Sequence, residues 1–399
     1  MTVQASTGRS LSLCHNPAVM PVRILHLHST FSLGGKEARA VRLMNAFGDA
    51  AEHVVLSAVP GALGAREAID PEVVVAFPSD AEGPSLIGKP GPRRYWRLAR
   101  YMARFDLVLS YNWGAMDGVA ARRLYAGAMR LPPLVHHEDG FNADELVRQK
   151  PARVQFRRLM LGAAYRVVVP SEQLERIAQQ VWRQPARRVQ RIANGIALDR
   201  YAGLPEADAI PGFRRAPGDI VVGTMAGLRG VKNLPRLVRA FARSGGVGRL
   251  VIVGEGPERD AILAVAQAEG VADRLLLPGF LADAARYVGH FDIFALSSDS
   301  EQFPIAMIEA MAAGLPVVAT DVGDVCAMVS AENRRFVVAA DDEAAFADAL
   351  ARLIASRDLR HRLGATNRAV ARERYGEDAM IAAYRALYET AMHRPGALG

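Results

Sequence analysis

Two glutamates separated by seven residues carry the chemistry that is easiest to interpret in this sequence. They are Glu301 and Glu309 in the segment SEQFPIAMIEAMAAGLPVVAT (300–320). Pro304 is typical of the first turn of a helix and Gly314 of its end, so we expect Glu301 in a loop and Glu309 on the helix. Carboxylates accept hydrogen bonds well from sugar hydroxyls. The simpler alternative is a pair of solvated surface acids.

The start of that helix is a candidate phosphate site. The backbone N–H groups around Phe303 to Ala306 have no carbonyl partner within the helix, and the helix dipole favours an anion there. The sequence therefore places an anion site beside Glu301.

Two cations follow an apolar strand in AGLRGVKNLPRLVRAF (226–241). Arg229 and Lys232 lie between that strand and the helix that begins near Asn233. At the carboxyl edge of a sheet they would face the crevice where α/β proteins bind ligands, and could neutralise a diphosphate without a metal. The alternative is a pair of solvated loop cations.

Ionisable residues crowd the segment LVHHEDGFNADE (134–145), which also follows a strand. His137 and Asp139 are the candidates for a reacting centre, with His136 a weaker one, and the sequence does not decide between them. A histidine pair with one buried and one exposed ring is equally compatible. Metal binding by the His-His-Glu run is an alternative that lacks the H-E-x-x-H helical spacing.

The segment KPGPRRYWRLARYMARF (89–105) is basic and aromatic. Its arginines recur at helical spacing on one face, at Arg93, Arg97, Arg100 and Arg104. This pattern fits a membrane surface with anionic lipids, or else a solvated basic helix face. Nucleic acid is not an expected partner, because no reader motif is present.

The elements that position these residues are short apolar strands alternating with helices. VRILHLHS (22–29) is followed by Gly34-Gly35 and a helical stretch, and the pattern continues to RVVVP (166–170). It restarts at DIVVGTMAG (219–227) and continues through the second half. Such alternation predicts an α/β protein with two Rossmann-like, doubly wound parallel-sheet domains.

Proline and glycine divide the chain. We expect a loose tail over 1–20, a first domain over 21–203 and a linker over 204–216. A second domain then spans 217–375, and a terminal helix over 376–399 packs back on the first domain.

Composition fits a globular protein of two domains: 399 residues, 50% hydrophobic and 23% charged. Residues 1–204 hold 27 Lys and Arg against 17 Asp and Glu, whereas residues 205–399 hold 22 against 25. A basic first half favours an acidic partner. The only cysteines are Cys14 and Cys326, which form no disulfide framework, and no apolar run is long enough to span a membrane. We therefore expect a cytoplasmic protein.

Several function classes are disfavoured by missing motifs. GEGPER (254–259) lacks the third glycine of a dinucleotide fingerprint, and neither a P-loop nor a G-x-S-x-G elbow occurs. The absence of an Asp-x-Asp triplet argues against a metal-dependent GT-A transferase.

An ordered set of motifs resembles the family 4 glycosyltransferases, which have the GT-B fold. The pair Glu301 and Glu309 matches the E-x7-E signature of that family. Four further segments resemble the family's motifs in the same order, and the matches extend from about Val22 to Phe336: GGKEARAV (34–41), IANGIALDRY (192–201), VGEGPERDAI (253–262) and LLLPGFLADAARYVGHFDIFALSS (275–298).

The resemblance implies roles for individual residues. Glu301 would hold the hydroxyls of the donor sugar, and Glu309 those of the ribose. Gly34 and Gly35 would approach the diphosphate from the first domain. Main-chain atoms at Phe280 would meet the base. The backbone of the segment Phe303, Pro304 and Ile305 would meet the sugar or the diphosphate.

The sequence departs from the family pattern at two places. Family members have an arginine directly after the glycine of the strand, where this chain has Leu228, so that Arg229 is displaced while Lys232 matches. The family's histidine slot holds Asp139, with the histidines two or three residues earlier.

The function implied is a retaining, metal-independent hexosyltransferase that uses a nucleotide diphosphate sugar and no cofactor. We expect a saccharide or lipid-linked saccharide as acceptor, in lipid-linked or surface polysaccharide synthesis, with an anionic membrane surface as a further candidate partner at the inner face of the membrane. A transferase with a soluble acceptor, and a non-catalytic protein that binds sugar nucleotides or glycans, are the alternatives.

Overall fold

Two parallel sheets, each flanked by helices, form the protein in the computed structural model. The structure describes residues 20–32, 34–141, 145, 149–216, 218–245 and 248–399. The tail predicted over 1–20 therefore lies outside the described residues except for Met20. The two sheets correspond to the two series of strands that the sequence predicts.

The first domain contains a seven-stranded sheet in the order β3-β2-β1-β4-β5-β6-β7. The buried runs of Val, Ile and Leu in its central strands are typical of strands covered on both faces. Its strands are β1 (Val22–His28), β2 (Ala51–Ser57), β3 (Val75–Ala76), β4 (Leu107–Tyr111), β5 (Leu134–His137), β6 (Arg166–Val169) and β7 (Val189–Arg191). Its helices are α1 (Gly35–Phe47), α2 (Pro92–Met102), α3 (Met116–Tyr125), α4 (Pro151–Met160) and α5 (Glu172–Arg176).

The second domain contains a six-stranded sheet in the order β10-β9-β8-β11-β12-β13. Its strands are β8 (Val221–Met225), β9 (Arg249–Val253), β10 (Leu275–Gly279), β11 (Ile293–Leu296), β12 (Val317–Thr320) and β13 (Val337–Val338). Its helices are α6 (Leu234–Arg243), α7 (Arg259–Ala268), α8 (Ile305–Ala312), α9 (Val325–Met328), α10 (Glu343–Ala355) and α11 (Arg357–Arg374).

The strand order places a crevice in each domain. β1 pairs with β2 on one side and β4 on the other, and β8 pairs with β9 and β11. The chain direction of the crossovers reverses at these points, and α/β sheets bind ligands beyond the carboxyl ends of such strands. The loops after β1, β8 and β11 are those that carry the glycine pair, Lys232 and Glu301.

The last helix, α12 (Glu377–Met392), packs on the first domain although it follows the second in the chain. Met380, Tyr384 and Tyr388 are buried in the same apolar cluster as β1 and β4 residues. The segment 204–216, predicted as a linker, is attached to the second domain, because Ile210 is buried in that domain's core.

The two domains also touch across the crevice. Asp324 of the second domain accepts hydrogen bonds from the backbone N–H groups of Glu172 and Gln173, the latter at 3.0 Å, at the start of α5. A methyl-sized atom on Gly140 would lie 3.2 Å from Cγ of Gln302, so the loop after β5 reaches the loop that carries Glu301.

No helix among the described residues has the length and apolar character that crossing a bilayer requires. The basic segment 89–105 forms α2, which ends at Met102, so Arg104 lies beyond the helix and not on its face.

Candidate active site between the two domains

Lys232 and Glu301 meet at the carboxyl edge of the second sheet. Lys232 ends a single turn of 3-10 helix (Gly230–Lys232) after β8, and Glu301 lies in the loop after β11. The Nζ atom of Lys232 lies 2.5 Å from Oε1 of Glu301, and the hydroxyl of Ser298 donates to the same oxygen at 2.7 Å. Ser297 fixes the turn by donating to the carbonyl of Lys232 at 3.0 Å. The structure thus unites two residues that the sequence singled out separately.

Glu309 lies in the middle of α8, the helix that follows the loop of Glu301. Its Oε1 accepts a hydrogen bond from the hydroxyl of Tyr201 at 3.0 Å. Burial raises the pKa of Glu309 to about 7, because desolvation outweighs the opposing effects of Tyr201 and Arg42. A carboxyl group poised near neutrality at the wall of a cleft is typical of a functional site.

Two adjoining cavities meet at Glu309. The interdomain cavity, of about 640 Å³, lies between α1, α8 and the segment around Tyr201. The second-domain cavity, of about 520 Å³, lies beyond the ends of β8 and β9. Residues common to both are Phe280, Asp283, Ala284, Ala306 and Glu309. Each cavity is large enough for part of a nucleotide sugar.

The glycine pair and the start of α8 face each other across the interdomain cavity. A methyl-sized atom on Gly35 would lie 3.3 Å from Cδ1 of Ile305, and one on Gly34 would lie 2.9 Å from Oε2 of Glu37. Any larger residue at Gly34 would press on that carboxylate. The side chain of the first residue of α8 thus lies against Gly35, and both line the same cavity.

Phe303, Pro304 and Ile305 differ in what they present. The ring of Phe303 packs edge-on against Tyr375, with the centroids 5.7 Å apart, so its side chain is part of the second-domain packing. Pro304 precedes the first residue of α8 and is buried, whereas Ile305 lines the interdomain cavity.

Phe280 and Arg229 both line the second-domain cavity. The ring of Phe280 is 57% exposed, which is unusual for a large apolar side chain. Arg229 is also exposed and lies directly before the turn that carries Lys232. The structure gives Arg229 access to the cavity without joining it to the pair of Lys232 and Glu301.

Asp139 is held in an ion pair with Arg39 of α1. Both terminal nitrogens of Arg39 contact the carboxylate, one of them at 2.8 Å, and Arg39 also donates to Oδ1 of Asn194 at 2.9 Å. The Arg39 guanidinium lowers the pKa of Asp139 and more than offsets the effect of burial. Since Arg39 lines the interdomain cavity, Asp139 reaches that cavity through its partner.

His137 does not line the cleft. Its Nε2 lies 2.9 Å from the hydroxyl of Tyr388 on α12, its Nδ1 lies 3.2 Å from the carbonyl oxygen of Ser110, and the ring is 1% exposed. Burial and Arg39 lower its pKa to about 3, so the ring is neutral. His136 is buried as well, against Ser110 and Glu138. The alternative of one exposed histidine is therefore wrong, and of the two candidates only Asp139 approaches the cleft.

The buried rings of the first domain form a cluster beneath this site. Nε2 of His26 lies 3.0 Å from Nδ1 of His53, and burial lowers the pKa of both rings. His28 stacks on Tyr111 with ring centroids 4.0 Å apart. The sequence analysis did not single out this cluster, although the alternation HLH in β1 places two histidines on one face of a strand.

Several cavity residues were missed by the sequence analysis. Arg39 and Arg42 follow the glycine pair on α1, and Arg42 donates to the carbonyl of Gly195 at 2.5 Å. Asp283 pairs with Arg200 at 2.5 Å. The sequence motifs could have pointed to three of these residues. Arg39 and Arg200 lie within the motif segments 34–41 and 192–201, and Arg42 directly follows the first of them.

Within the described ranges, no group of three or more His, Cys, Asp or Glu side chains is arranged to hold a metal ion. This includes the run His136, His137 and Glu138, which the sequence left open as a metal site.

Two family models together match most of the chain. "Glycosyltransferase Family 4" matches residues 33–200, and "Glycosyl transferases group 1" matches residues 208–370. The chain belongs to the family 4 glycosyltransferases. The gap between the two matches, residues 201–207, overlaps the beginning of the segment 204–216 that was predicted as the linker.

Curated relatives of this glycosyltransferase have several substrates in their names. A GDP-mannose-dependent alpha-(1-6)-phosphatidylinositol monomannoside mannosyltransferase of Mycobacterium tuberculosis is 28% identical over 301 residues, which is 71% of this chain and 76% of that protein. An N-acetyl-alpha-D-glucosaminyl L-malate synthase of Bacillus anthracis is 26% identical over 41% of this chain and 44% of its own length. The lipopolysaccharide core biosynthesis glycosyltransferase LpsE of Rhizobium meliloti is 29% identical over 53% of this chain and 59% of its own length.

Solved structures confirm the GT-B fold that the sequence predicts. HepE of Anabaena in complex with UDP superposes with a TM-score of 0.74 over 92% of this chain and 100% of that chain, at 18% identity. A sucrose-phosphate synthase of Thermosynechococcus elongatus gives 0.72 over 93% and 99%, at 20% identity.

Proposed function

We propose that this glycosyltransferase moves a hexosyl group from a nucleotide diphosphate sugar to an acceptor hydroxyl, with retention of the anomeric configuration. The observation that carries the proposal is the pair of cavities that meet at Glu309, on the helix that follows the loop in which Glu301 contacts Lys232. Family membership, the GDP-mannose in the name of one relative and the UDP bound to one structural neighbour support it.

The donor would lie along α8. Its ribose hydroxyls would donate to Glu309, and its base would occupy the second-domain cavity beside Phe280. The diphosphate would lie between Gly34, Gly35 and the first amides of α8, where backbone N–H groups and the helix dipole favour an anion. The sugar would then reach Glu301, whose carboxylate accepts from its hydroxyls.

The chemical step requires the bond between the anomeric carbon and oxygen to break while negative charge develops on the diphosphate. Lys232, held against Glu301, would supply one positive charge there, and Arg229, which lines the second-domain cavity, would supply a second. Cationic groups fixed before the reaction stabilise such a charge most effectively. These side chains would supply that stabilisation without a metal ion, and we propose no cofactor.

A front-face reaction fits the arrangement. In it the leaving diphosphate takes the proton of the acceptor hydroxyl, and the acceptor oxygen bonds to the anomeric carbon on the face that the diphosphate leaves. The pairing of Glu301 with Lys232 and Ser298 suits a carboxylate that orients hydroxyls. NMR of the product tests this step, since an anomeric proton signal that shows inverted configuration would overturn it.

The acceptor would be a saccharide, and we propose a lipid-linked one presented at an anionic membrane surface. A groove of about 410 Å³ beside α2 supports this choice. Its walls combine Trp96, which is 42% exposed, with Arg97, Arg100 and Arg104. Arg100 lies over the Trp96 ring at 4.8 Å, so an aromatic surface and its cations face the same side.

Liposome sedimentation tests the membrane part of the proposal. Vesicles with and without phosphatidylglycerol would be compared for the wild type and for a variant with Arg93, Arg97 and Arg100 changed to Ser. We expect binding only to the anionic vesicles and its loss in the variant. Binding that the variant leaves unchanged would rule out α2 as the membrane surface, and no binding of the wild type to either kind of vesicle would favour the alternative of a soluble acceptor.

Calorimetric binding of UDP, GDP and ADP tests the donor site. We expect one of the three to bind at micromolar affinity and to lose it in Glu309→Ala. Labelled donors of that base, offered with membrane extract, then test for transfer. Failure of all three nucleotides to bind would leave the fold and overturn the proposed activity in favour of a glycan-binding protein.

A further inference from the structure

A third cavity, of about 520 Å³, lies on the far side of the second domain from Glu301. It is formed at the amino ends of β8, β11 and β12, whereas Lys232 and Glu301 lie at the carboxyl edge of the same sheet. We call it the rear pocket, and define it by residues of the strand starts and of α11: Arg215, Asp219, Ile220, Phe291, Asp292, Leu315, Pro316, Arg357, Arg360 and His361.

Both carboxylates of the rear pocket are already neutralised. Asp292 accepts two bonds from Arg215, at 2.9 and 2.7 Å, and one from the backbone N–H of Val221 at 2.8 Å. Asp219 accepts from Arg249 at 3.2 Å and from the backbone N–H of Ala216 at 2.9 Å. The acids therefore leave no unbalanced negative charge in the pocket.

The cations of α11 keep unused donors. The Nε of Arg357 donates to Nε2 of His361 at 3.2 Å. The two terminal nitrogens of Arg357 have no hydrogen-bond partner among the residues that the structure describes. The Nη1 of Arg360 donates to the carbonyls of Leu353 and Ile354, at 2.7 and 2.8 Å. Its Nε and Nη2 have no hydrogen-bond partner among the described residues. Two guanidinium groups thus offer free N–H donors to one cavity.

Mutual repulsion accompanies this arrangement. Burial lowers the pKa of Arg360, Arg357 and Arg215 lower it further, and Asp292 opposes them. A bound anion would relieve the repulsion between these cations.

We propose that the rear pocket binds a small phosphorylated molecule. Guanidinium groups match the geometry of phosphate oxygens with two parallel hydrogen bonds, and charge-assisted bonds of this kind are the stronger ones. The walls supplied by Ile220, Leu315 and Pro316 are apolar, so they fit the carbon-bearing part of a phosphate ester. This site is separate from the donor cleft and does not depend on the activity proposed for it.

Calorimetry with inorganic phosphate and glycerol 3-phosphate, with glycerol as the uncharged comparison, tests the proposal. We expect saturable binding of both phosphates, tighter for the ester, and none of glycerol. Arg357→Ala should weaken binding by roughly tenfold or more, as the loss of a charge-assisted pair would. Arg362→Ala is the matched control, because Arg362 lies on the same helix, is exposed and pairs with Glu332 at 3.3 Å outside the pocket.

Lys232→Ala distinguishes the rear pocket from the donor cleft. Phosphate binding that survives Lys232→Ala and is weakened by Arg357→Ala supports the proposal. Binding that Arg357→Ala leaves unchanged, or no binding to the wild type, overturns it. Arg357 is exposed, so the variant should fold, and Arg357→Gln repeats the measurement if Arg357→Ala does not.

Discussion

The ammonium group of Lys232 lies 2.5 Å from a carboxylate oxygen of Glu301, although 69 positions separate the two residues in the chain. The loops after two neighbouring strands, β8 and β11, bring them together. In the proposed reaction this pair would supply a cation for the leaving group and a carboxylate for the sugar hydroxyls. Neither partner is free to move without changing the other.

Removing the cation should slow the chemical step. In Lys232→Ala we expect kcat to fall roughly a hundredfold, because the charge on the leaving diphosphate loses a fixed partner, while the affinity for the nucleoside changes little. Steady-state kinetics with a labelled donor provides the measurement.

The contact between Lys232 and Glu301 predicts how the two substitutions combine in a double variant. Lys232→Ala and Glu301→Gln together should cost less than the product of the two single effects, since residues in contact do not act independently. Multiplicative effects would show that the two side chains act separately in the reaction.

Nucleotide affinity should rise with pH near neutrality. Burial raises the pKa of Glu309 to about 7, so below that pH the carboxyl group is protonated and accepts ribose hydroxyls poorly. We expect affinity to increase roughly tenfold from pH 6 to pH 8 in calorimetric titrations. Glu309→Gln should bind weakly and with no such slope. A slope that persists in this variant would assign the titration to another group.

Asp139 should prove to be a positioning residue. Asp139→Ala leaves the buried guanidinium of Arg39 without its partner, and we expect the free energy of unfolding to fall by about 3 kcal/mol. Urea unfolding measures this loss. Arg39→Met combined with Asp139→Ala should recover most of the stability, because no buried charge is then unpaired.

A positioning role has a kinetic signature as well. Restored stability without restored kcat in the double variant would show that the ion pair organises the cleft. Full activity in Asp139→Ala would remove Asp139 from the site altogether.

Stability should decline in mild acid because of the buried histidines. Burial lowers the pKa of His53 from 6.5 to about 4, so the folded state binds fewer protons than the unfolded state between these values. The stabilisation is complete above pH 6.5 and is lost as the pH falls toward 4. For His53 alone we expect a loss of about 2 kcal/mol between pH 7 and pH 5.

Urea unfolding of His53→Asn at both pH values isolates this contribution. Asparagine keeps a polar atom near Nδ1, which lies 3.0 Å from His26, but does not titrate. An unchanged pH dependence in the variant would assign the acid sensitivity to the other buried rings.

Much of the fold could be predicted from the sequence because its strands are buried on both faces. Continuous runs such as those of β1 and β4 leave little doubt about their type. Strands β7 and β13 were not predicted, since they are only three and two residues long and carry almost no pattern. Such edge strands depend on their neighbours more than on their own composition.

The candidate site could be predicted where its residues share one short motif, and less well where they come from distant segments. Pro304 and Gly314 mark the two ends of one helix, so they predict that Glu301 lies in a loop and Glu309 on the helix. The burial of His137 depends on Tyr388, which lies 251 positions further along the chain, so no local pattern could show it. The partnership of Arg39 and Asp139 is long-range in the same way.

Asp324 closes the amino end of α5 from the other domain, and this has a consequence for the two amides involved. The N–H groups of Glu172 and Gln173 find this acceptor only while the domains are together. Exchange of their protons with deuterated solvent would therefore record how often the cleft opens. The exchange rate of two backbone amides outside the proposed sugar site would thus report how often substrates can enter and leave the cleft.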